Sequence, residues 1–343
     1  MRAIAQDTYG SPDVLELRDL PTPLAGPDEV LIEVRAAALN PADWHFMRGQ
    51  AYVVRLVGYG MGFGPRGPRT KIRGLDVSGR VAAVGANVTR FREGDEVFGQ
   101  GNGTFAEYVT APESALAPKP ANLTFEQAAA VPEAASTALQ GLRDAGGIRP
   151  GQSGRRVLIN GASGGVGTYA VQLAVAYGAH VTGVCSTRNV DLIGSLGAHE
   201  VVDYTREDFT RVTDRRPYDV ILDLIGNRTL ADCRRVLAPE GTLVLSNGDG
   251  GRWFGPLGSL VRALVVSPFV GQKLRPLAVR PNAENLTTLK TLIESGEVTP
   301  VIDRTYPLSE TPAAMRYLEE GHARGKVVIA VGAATAPPPP PGT

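Results

Sequence analysis

Residues 156–167 read RVLINGASGGVG, a short and largely apolar segment followed at once by a turn rich in glycine. The segment 156–160 has the length and composition of a buried strand. Residues 164–177 then place Ala, Val and Leu at helical spacing, and residues 180–185 form a second apolar run. A strand, a helix and a second strand in this order predict one βαβ unit.

The same rhythm continues toward the C-terminus. Three further strands are predicted at residues 200–203, 218–223 and 241–245, and helices at residues 227–237 and 282–295. Five strands in series with helices between them are typical of a parallel, doubly wound sheet in an α/β protein.

The two ends of the chain have a different texture. Up to about residue 120, short runs such as 29–34 and 79–84 mix apolar and polar residues between Gly and Pro clusters, which predicts a small antiparallel barrel or sandwich. Residues 57–68 are predicted to form a loop. Near the C-terminus we predict a helix over 309–321, capped by Ser309, then a strand over 325–331 that returns to the first domain, and a polyproline-type tail over 336–343.

Composition excludes several classes of protein. The chain has 343 residues, which is enough for two domains of about 150 residues each. Lys and Arg together number 35, as do Asp and Glu, so no net charge attracts nucleic acid or an anionic membrane. The two cysteines are far apart in sequence, and no apolar run is long enough to cross a bilayer. These features predict a cytoplasmic protein in a reducing compartment.

The glycine-rich turn is a candidate dinucleotide site. Gly164 and Gly167 fill the second and third positions of a GxGxxG fingerprint, and Ala162 stands at the first. Glycines let the backbone approach a pyrophosphate, and the following helix N-terminus stabilises its charge. We therefore predict cofactor binding by the whole turn, Gly161, Ala162, Ser163, Gly164, Gly165, Val166 and Gly167. The alternative is a strand-to-helix turn that binds nothing.

The residues after the second strand indicate which nucleotide is bound. An NAD site needs Asp or Glu at this position, whereas this chain has Ser186, Thr187 and Arg188. Two hydroxyls and a guanidinium donate hydrogen bonds to a 2′-phosphate, so NADPH is the predicted cofactor. Tyr204, after the third strand, is a further candidate contact. The alternative for Arg188 is a solvated residue at a helix start.

Several motifs together resemble a known family. The segments NGASGGVGTYAVQLA, GDEVFG, GTFAEYV, LNPADW and HARGKVVI are similar to those of the medium-chain dehydrogenase/reductase superfamily, in its zinc-free quinone oxidoreductase (zeta-crystallin-like) branch. The resemblance covers about residues 1–332. It implies a GroES-like β-barrel domain, 1–123 completed by 297–332, around a Rossmann NADP-binding domain, 124–296, with a Pro-rich tail at 333–343.

The resemblance also bears on metal binding. Zinc-dependent members carry Cys, His and Cys at positions that align with Asn40, Leu75 and near Glu133 in this sequence. None of these three is part of a good zinc ligand set, and the four histidines have no metal-ligand spacing. We therefore expect no metal.

The resemblance assigns roles to individual residues. It implies Asn40 as a hydrogen-bond donor beside the nicotinamide ribose or the acceptor oxygen, and Tyr52 as a phenol that faces the substrate. It places Thr137 at the nicotinamide and Lys326 near the cofactor's phosphates, and we add Ser246 to the cofactor-binding set.

Each of these residues also has a structural interpretation. Asn40 precedes Pro41 and is a candidate helix cap, and Tyr52 is a candidate half-buried loop aromatic. Asp43 and Arg48 are interpreted as a structural pair. Glu133 is interpreted as a carboxylate that complements a helix dipole.

The leading hypothesis is an NADPH-dependent, zinc-independent oxidoreductase that transfers hydride to a quinone or an α,β-unsaturated carbonyl compound. One alternative is metal-free reduction of aldehydes or ketones, and another is a non-catalytic, NADPH-binding structural or RNA-binding protein. The insertion between residues 246 and 280 leaves the acceptor open, and it makes a homodimer the expected assembly.

Overall fold

The fold was analysed in a computed structural model that describes residues 1–50, 64, 67–211, 216–246, 267 and 270–332. Tyr52, the predicted loop at 57–68 except for residues 64, 67 and 68, most of the 246–269 stretch and the predicted tail lie outside these residues.

One sheet in the described part of the chain contains six parallel strands: β8 (Arg156–Asn160), β9 (His180–Cys185), β10 (Glu200–Asp203), β11 (Tyr218–Asp223), β12 (Leu237–Leu245) and β13 (Lys273–Pro276). Their spatial order is β10-β9-β8-β11-β12-β13. The first three strands run outward from β8 and the next three run the other way from β11. This is the doubly wound order, and the strand order reverses at a switch point between β8 and β11.

Helices cover both faces of this sheet. They are α3 (Pro132–Leu139), α4 (Gly165–Ala176), α5 (Val190–Ser195), α6 (Leu230–Arg235) and α7 (Ala283–Glu294), while the short α2 (Phe125–Ala129) precedes α3. Helix α4 is buried along most of its length because its side chains are almost all apolar. Tyr169 of α4 is fully buried, and its hydroxyl donates to the Ala130 carbonyl at 3.1 Å.

A second, seven-stranded sheet uses both ends of the chain. Its strands are β3 (Glu29–Ala38), β4 (Asp76–Val84), β5 (Glu96–Gln100), β6 (Tyr108–Pro112), β7 (Leu116–Pro118), β14 (Ile302–Pro307) and β15 (Lys326–Ala330). Their spatial order is β14-β15-β3-β4-β5-β7, and β6 also pairs with β3. Strands β1 (Arg2–Ala5) and β2 (Glu16–Asp19) form a separate hairpin, while α1 (Pro41–Arg48) and α8 (Thr311–Glu319) complete this lobe.

The C-terminal strand pairs as predicted, since β15 lies antiparallel to β3, with Val328 opposite Ala38. We propose domain boundaries at 123/124 and 296/297. The six-stranded sheet lies between these two boundaries, and the seven-stranded sheet is formed by the chain before the first and after the second. The protein is thus an α/β chain with a GroES-like sheet and a Rossmann sheet.

Three predicted elements need correction, and one strand was not predicted. The unpredicted strand is β13, inside the predicted insertion. Strand β12 begins at Leu237, which pairs with Tyr218 before the register shifts and Val220 lies opposite Thr242. Helix α6 is shorter than the predicted 227–237. Helix α8 begins at Thr311 after a 3₁₀ turn over Leu308–Glu310, so Ser309 does not cap it.

Candidate functional site

A cavity of about 360 Å³ lies at the carboxyl ends of β8, β9, β10 and β11. This is the switch point of the doubly wound sheet, where such sheets bind nucleotides. The cavity is lined by Asn160, Gly161, Ser163, Gly164, Val184, Cys185, Ser186, Arg188, Asn189, Tyr204, Ile225, Asn227, Gly321, His322 and Ala323.

The glycine-rich turn forms the floor of this cavity, and two of its glycines, Gly161 and Gly167, are required sterically. Gly161 has φ +90°, and a Cβ there would lie 2.8 Å from the Ile225 side chain. A Cβ on Gly167 would lie 2.2 Å from the Gly161 carbonyl oxygen, so α4 packs on the turn only because residue 167 is glycine. Gly164 is the N-cap of α4. Unsatisfied backbone N–H groups at this helix N-terminus suit an anionic phosphate.

The predicted turn residues divide into two groups. Gly161, Ser163 and Gly164 line the cavity. Ala162 is fully buried in the core, and residues 165–167 form the first turn of α4.

The wall beside β9 carries three of the predicted specificity residues. Ser186, Arg188 and Tyr204 line the cavity. Arg188 Nη2 donates to the His322 carbonyl at 2.7 Å. Tyr204 is 52% exposed, and its backbone N–H donates to the Cys185 carbonyl.

Thr187 does not line this cavity, and its predicted contact with the cofactor stays a prediction. Its hydroxyl lies 2.6 Å from Oδ2 of Asp203 and donates to that carboxylate. This hydrogen bond, with others from Thr205, holds the pKa of Asp203 below its usual range. The only hydroxyl hydrogen of Thr187 is therefore donated to Asp203. Of the two hydroxyls predicted to donate to a 2′-phosphate, only that of Ser186 lines the cavity.

Thr137 and Ser246 also lie outside the cavity lining. The Thr137 hydroxyl donates to the Glu133 carbonyl at 2.7 Å, one turn earlier in α3. The Ser246 backbone N–H donates to the Asp223 carbonyl at 3.0 Å, just beyond β12. Their proposed contacts with the cofactor therefore stay predictions.

The cavity also contains residues that the sequence did not single out. Asn160, the last residue of β8, donates to Asp223 at 2.8 Å and to Asn227 at 3.0 Å. A polar residue at the end of a buried strand was the available signal for it. Residues 321–323 reach the cavity from the other lobe, and the Gly325 N–H donates to the Ser163 carbonyl at 2.9 Å. Such long-range contacts leave no local pattern in the sequence.

A second group of polar residues is buried in the GroES-like lobe beside α3. Lys326 Nζ donates to Asn40 Oδ1 at 2.6 Å and to Asp76 Oδ2 at 3.2 Å, while Asn40 Nδ2 donates to Asp76 Oδ2 at 3.0 Å. Lys326, Asn40 and Asp76 are 3%, 2% and 0% exposed. Asp76 Oδ1 accepts the N–H of Glu133, which opens α3. We call Lys326, Asn40 and Asp76 the buried triad.

The triad changes the interpretation of two predicted residues. The stem of Lys326 passes the glycine-rich turn, since a Cβ on Gly165 would lie 2.9 Å from Lys326 Cδ. Its ammonium group, however, is directed to Asn40 and Asp76 rather than to the turn. Asn40 is the N-cap residue of α1, in agreement with its interpretation as a helix cap, and it forms a capping box with Asp43. In this box the Asn40 backbone N–H donates to the Asp43 carboxylate at 2.7 Å.

Two carboxyl groups near the triad, those of Asp43 and Glu133, have a raised pKa. Burial raises the pKa of Asp43 to about 7, although the Asn40 N–H opposes this shift. Burial also raises the pKa of Glu133, which accepts a hydrogen bond from the Gln100 side chain. Glu133 lies in the first turn of α3, as its dipole interpretation requires.

The predicted pairing of Asp43 with Arg48 is wrong. Arg48 forms a bidentate ion pair with Glu319 of α8, at 2.6 and 2.9 Å. Arg48 is near the C-terminal end of α1, whereas Asp43 is in its first turn and faces the buried triad.

Among the described residues, no three His, Cys, Asp or Glu side chains are grouped so that they could hold a metal ion. Within the same ranges, no helix has the length and apolar character needed to cross a membrane.

A Rossmann sheet with a cavity at its switch point, joined to a sheet made from both chain ends, is the architecture of a nucleotide-binding oxidoreductase, and the comparisons with known proteins support that class. The sequence matches the family "Alcohol dehydrogenase GroES-like domain" over residues 26–121 and "Zinc-binding dehydrogenase" over residues 196–329.

Relatives cover almost the whole chain. It is 33% identical to the chloroplast envelope quinone oxidoreductase homolog of Arabidopsis thaliana, covering 96% of this chain and 98% of that one. It is 34% identical to the chloroplastic NADPH-dependent alkenal/one oxidoreductase of Arabidopsis thaliana, and the match covers 96% of this chain and 79% of that one. The solved quinone oxidoreductase of Coxiella burnetii is similar with a TM-score of 0.84 and 32% identity, covering 97% and 99%. The chain belongs to the medium-chain dehydrogenase/reductase superfamily, in its quinone oxidoreductase-like branch.

Proposed function

We propose that this chain is an NADPH-dependent, zinc-independent oxidoreductase that reduces quinones or α,β-unsaturated carbonyl compounds. The observation that carries the proposal is the cavity at the switch point, with a glycine floor at a helix N-terminus and a wall of Ser186, Arg188 and Tyr204. The relatives' names, a quinone oxidoreductase homolog and an alkenal/one oxidoreductase, support the choice of acceptor.

The cavity suits one nucleotide of a phosphorylated dinucleotide. Gly161 and Gly164 line it without side chains, so a phosphate can approach the backbone of the turn, and its volume of about 360 Å³ is enough for that half of the cofactor. Among the described residues that line it, Arg188 carries a positive charge and none is a carboxylate. A 2′-phosphate therefore meets donors in the lining, while the nearby Asp203 carboxylate accepts the hydroxyl hydrogens of Thr187 and Thr205. Charge-assisted hydrogen bonds to such a phosphate contribute about 1.5–3 kcal/mol each. We infer a preference for NADPH over NADH.

The reduced nicotinamide supplies the hydride when the cofactor is bound. The chain must then stabilise negative charge on the acceptor oxygen. We propose that the buried triad contributes to this task, with Asn40 as the catalytic donor. Lys326 has three N–H donors and uses two of them on Asn40 and Asp76, so it polarises the Asn40 amide through its oxygen. Tyr52 remains our second proposed catalytic residue.

The acceptor class is tested by oxidation of NADPH with three matched acceptors: a quinone, an enone and a simple ketone. The proposed function predicts turnover with the quinone or the enone and little with the ketone, because an isolated carbonyl needs stronger polarisation. Activity with the ketone alone would identify an aldehyde or ketone reductase. Absence of turnover with every acceptor, together with salt-sensitive RNA binding, would favour the non-catalytic alternative.

We also propose a homodimer. Strand β13 is the last strand in the described part of the six-stranded sheet and pairs with β12 on one side. Such an edge is a natural place for a second copy to add its own strand by two-fold symmetry. Light scattering on a sizing column should give twice the chain mass of 36.2 kDa. A single chain mass would contradict this proposal.

A reducing compartment, such as the cytoplasm, is the proposed location. Cys185 and Cys233 are both buried and both free thiols. Burial raises the pKa of Cys185 to about 11 and that of Cys233 to about 12, so neither is primed for disulfide exchange.

A further inference from the structure

Asn189 is buried in the wall of the cavity and has one unpaired polar atom. It is 3% exposed, and it lies directly before α5. Its Nδ2 donates to Ser163 Oγ at 2.9 Å and to Ser186 Oγ at 3.3 Å. Its Oδ1 is buried without a hydrogen-bond partner. The amide thus joins two serines that come from different strand-to-helix turns.

The direction of these hydrogen bonds fixes the direction of the serine hydroxyls. A serine Oγ has one hydrogen and two lone pairs. When Oγ accepts from Asn189, its own hydrogen must point away from the amide. Within the described ranges, neither Ser163 nor Ser186 donates its hydroxyl hydrogen to another residue, and both side chains line the cavity.

We propose that Asn189 is a positioning residue that directs the hydroxyl hydrogens of Ser163 and Ser186 into the cavity as donors to the cofactor's phosphates. This inference rests on the proposed function. Ser163 belongs to the turn before α4, where a diphosphate is expected, and Ser186 follows β9, where a 2′-phosphate is expected. Asn189 therefore serves general nucleotide binding through Ser163, and the preference for a 2′-phosphate through Ser186.

The unpaired Oδ1 agrees with this assignment. If the amide were turned over, Oδ1 would accept from both serines and no hydroxyl hydrogen would be left for a ligand. The observed orientation leaves one acceptor unpaired, whereas the turned-over amide would leave both of its N–H groups without an acceptor. The hydrogen-bond network therefore favours serine hydroxyls that accept from Asn189 and keep their own hydrogens for a ligand.

Calorimetric binding of NADP⁺ and NAD⁺ to Asn189→Asp and Asn189→Ala tests the proposal. A carboxylate at 189 accepts hydrogen bonds from both serines and adds negative charge, so N189D should weaken NADP⁺ binding by about 100-fold or more. N189A removes the orientation without adding charge and should weaken it by about tenfold. Both variants should also lower the ratio of NADP⁺ to NAD⁺ affinity.

A double-mutant cycle separates positioning from a structural role. If Asn189 acts through the serines, N189A should have little further effect in a Ser163→Ala/Ser186→Ala background. Asn285→Ala is the matched control. Asn285 is similarly buried, at 2% exposed, but its Oδ1 accepts a hydrogen bond from Arg143, away from the cavity. Thermal melts of all variants report on folding, and the serine variants test the same contacts if N189A does not fold.

The possible outcomes are distinct. If wild type binds NADP⁺ and N189D binds it equally well, this inference alone is overturned, because binding would not need the serine hydroxyl hydrogens to point into the cavity. An undiminished effect of N189A in the double-serine background would do the same. A wild-type chain that binds neither nucleotide would overturn the proposed function and this inference with it.

Discussion

The three residues of the buried triad are tightly constrained by one another. Lys326 and Asp76 form an ion pair at 3.2 Å with almost no solvent contact. A buried charge is tolerated only when it is paired and hydrogen-bonded, and here Asn40 and the Glu133 N–H complete the set. These contacts hold the Asn40 amide in place: one N–H donates to Asp76 at 3.0 Å, and the other lies 3.5 Å from the Ala38 carbonyl, a weak contact that a ligand oxygen can replace.

Breaking this pair should be costly. Lys326→Met leaves the Asp76 carboxylate without its counter-ion, and removal of one partner of a buried ion pair costs about 3–5 kcal/mol. Urea unfolding should show that loss in the free energy of unfolding. Lys290→Met is the matched control: Lys290 pairs with Glu294 one turn along α7, near the surface, where such pairs contribute about 0.3–0.5 kcal/mol. Equal effects of the two substitutions would contradict the role given to the triad.

Asp43 should make stability depend on pH. Its pKa rises from 3.8 to about 7 on folding, so the folded chain holds a proton that the unfolded chain releases. The associated stability is present below pH 4 and is lost as the pH rises to 7. Asp43→Asn should therefore flatten the unfolding free energy between pH 4 and pH 7. The exposed Asp19→Asn should leave the profile unchanged, and an equal slope in wild type and D43N would refute the assignment.

At the scale of elements, local pattern was enough for most of the Rossmann sheet. Strands β8 to β11 lie at the predicted residues, and α4 runs from Gly165 to Ala176 inside the predicted 164–177. Apolar runs and caps are local, so the sequence shows them directly. Strand β13 (KLRP) was missed because two of its four residues are charged, and it pairs along one side in the described sheet.

The junction between β8 and α4 depends on glycine at position 167. Gly167→Ala places a Cβ 2.2 Å from the Gly161 carbonyl and should push the helix away, at a cost of about 1–3 kcal/mol and with loss of nucleotide binding. Gly194→Ala in α5 is the matched control, because a Cβ there meets nothing within 4 Å. It should stabilise the protein by about 0.5–1 kcal/mol. Differential scanning calorimetry compares the two, and destabilisation by both would contradict this packing argument.

At the scale of the whole molecule, the cofactor cavity is assembled by contacts between distant parts of the chain. The C-terminal segment at His322 meets Arg188, and Gly325 meets Ser163. The sequence identified the glycine-rich turn and the residues after β9, because both have local signatures. It could not show that Thr187 is drawn to Asp203, that Arg48 pairs with Glu319, or that Lys326 turns from the phosphates to Asn40. Those outcomes depend on partners that only the folded chain brings close.

The most direct test measures the affinity of NADPH and NADH for the wild-type chain and for Arg188→Ala by calorimetry. Wild type should bind NADPH more tightly than NADH, and R188A should lose about tenfold or more of that preference while its NADH affinity stays nearly constant. No heat with either nucleotide, or the same preference in R188A as in wild type, would contradict the central claim that this cavity recognises NADPH.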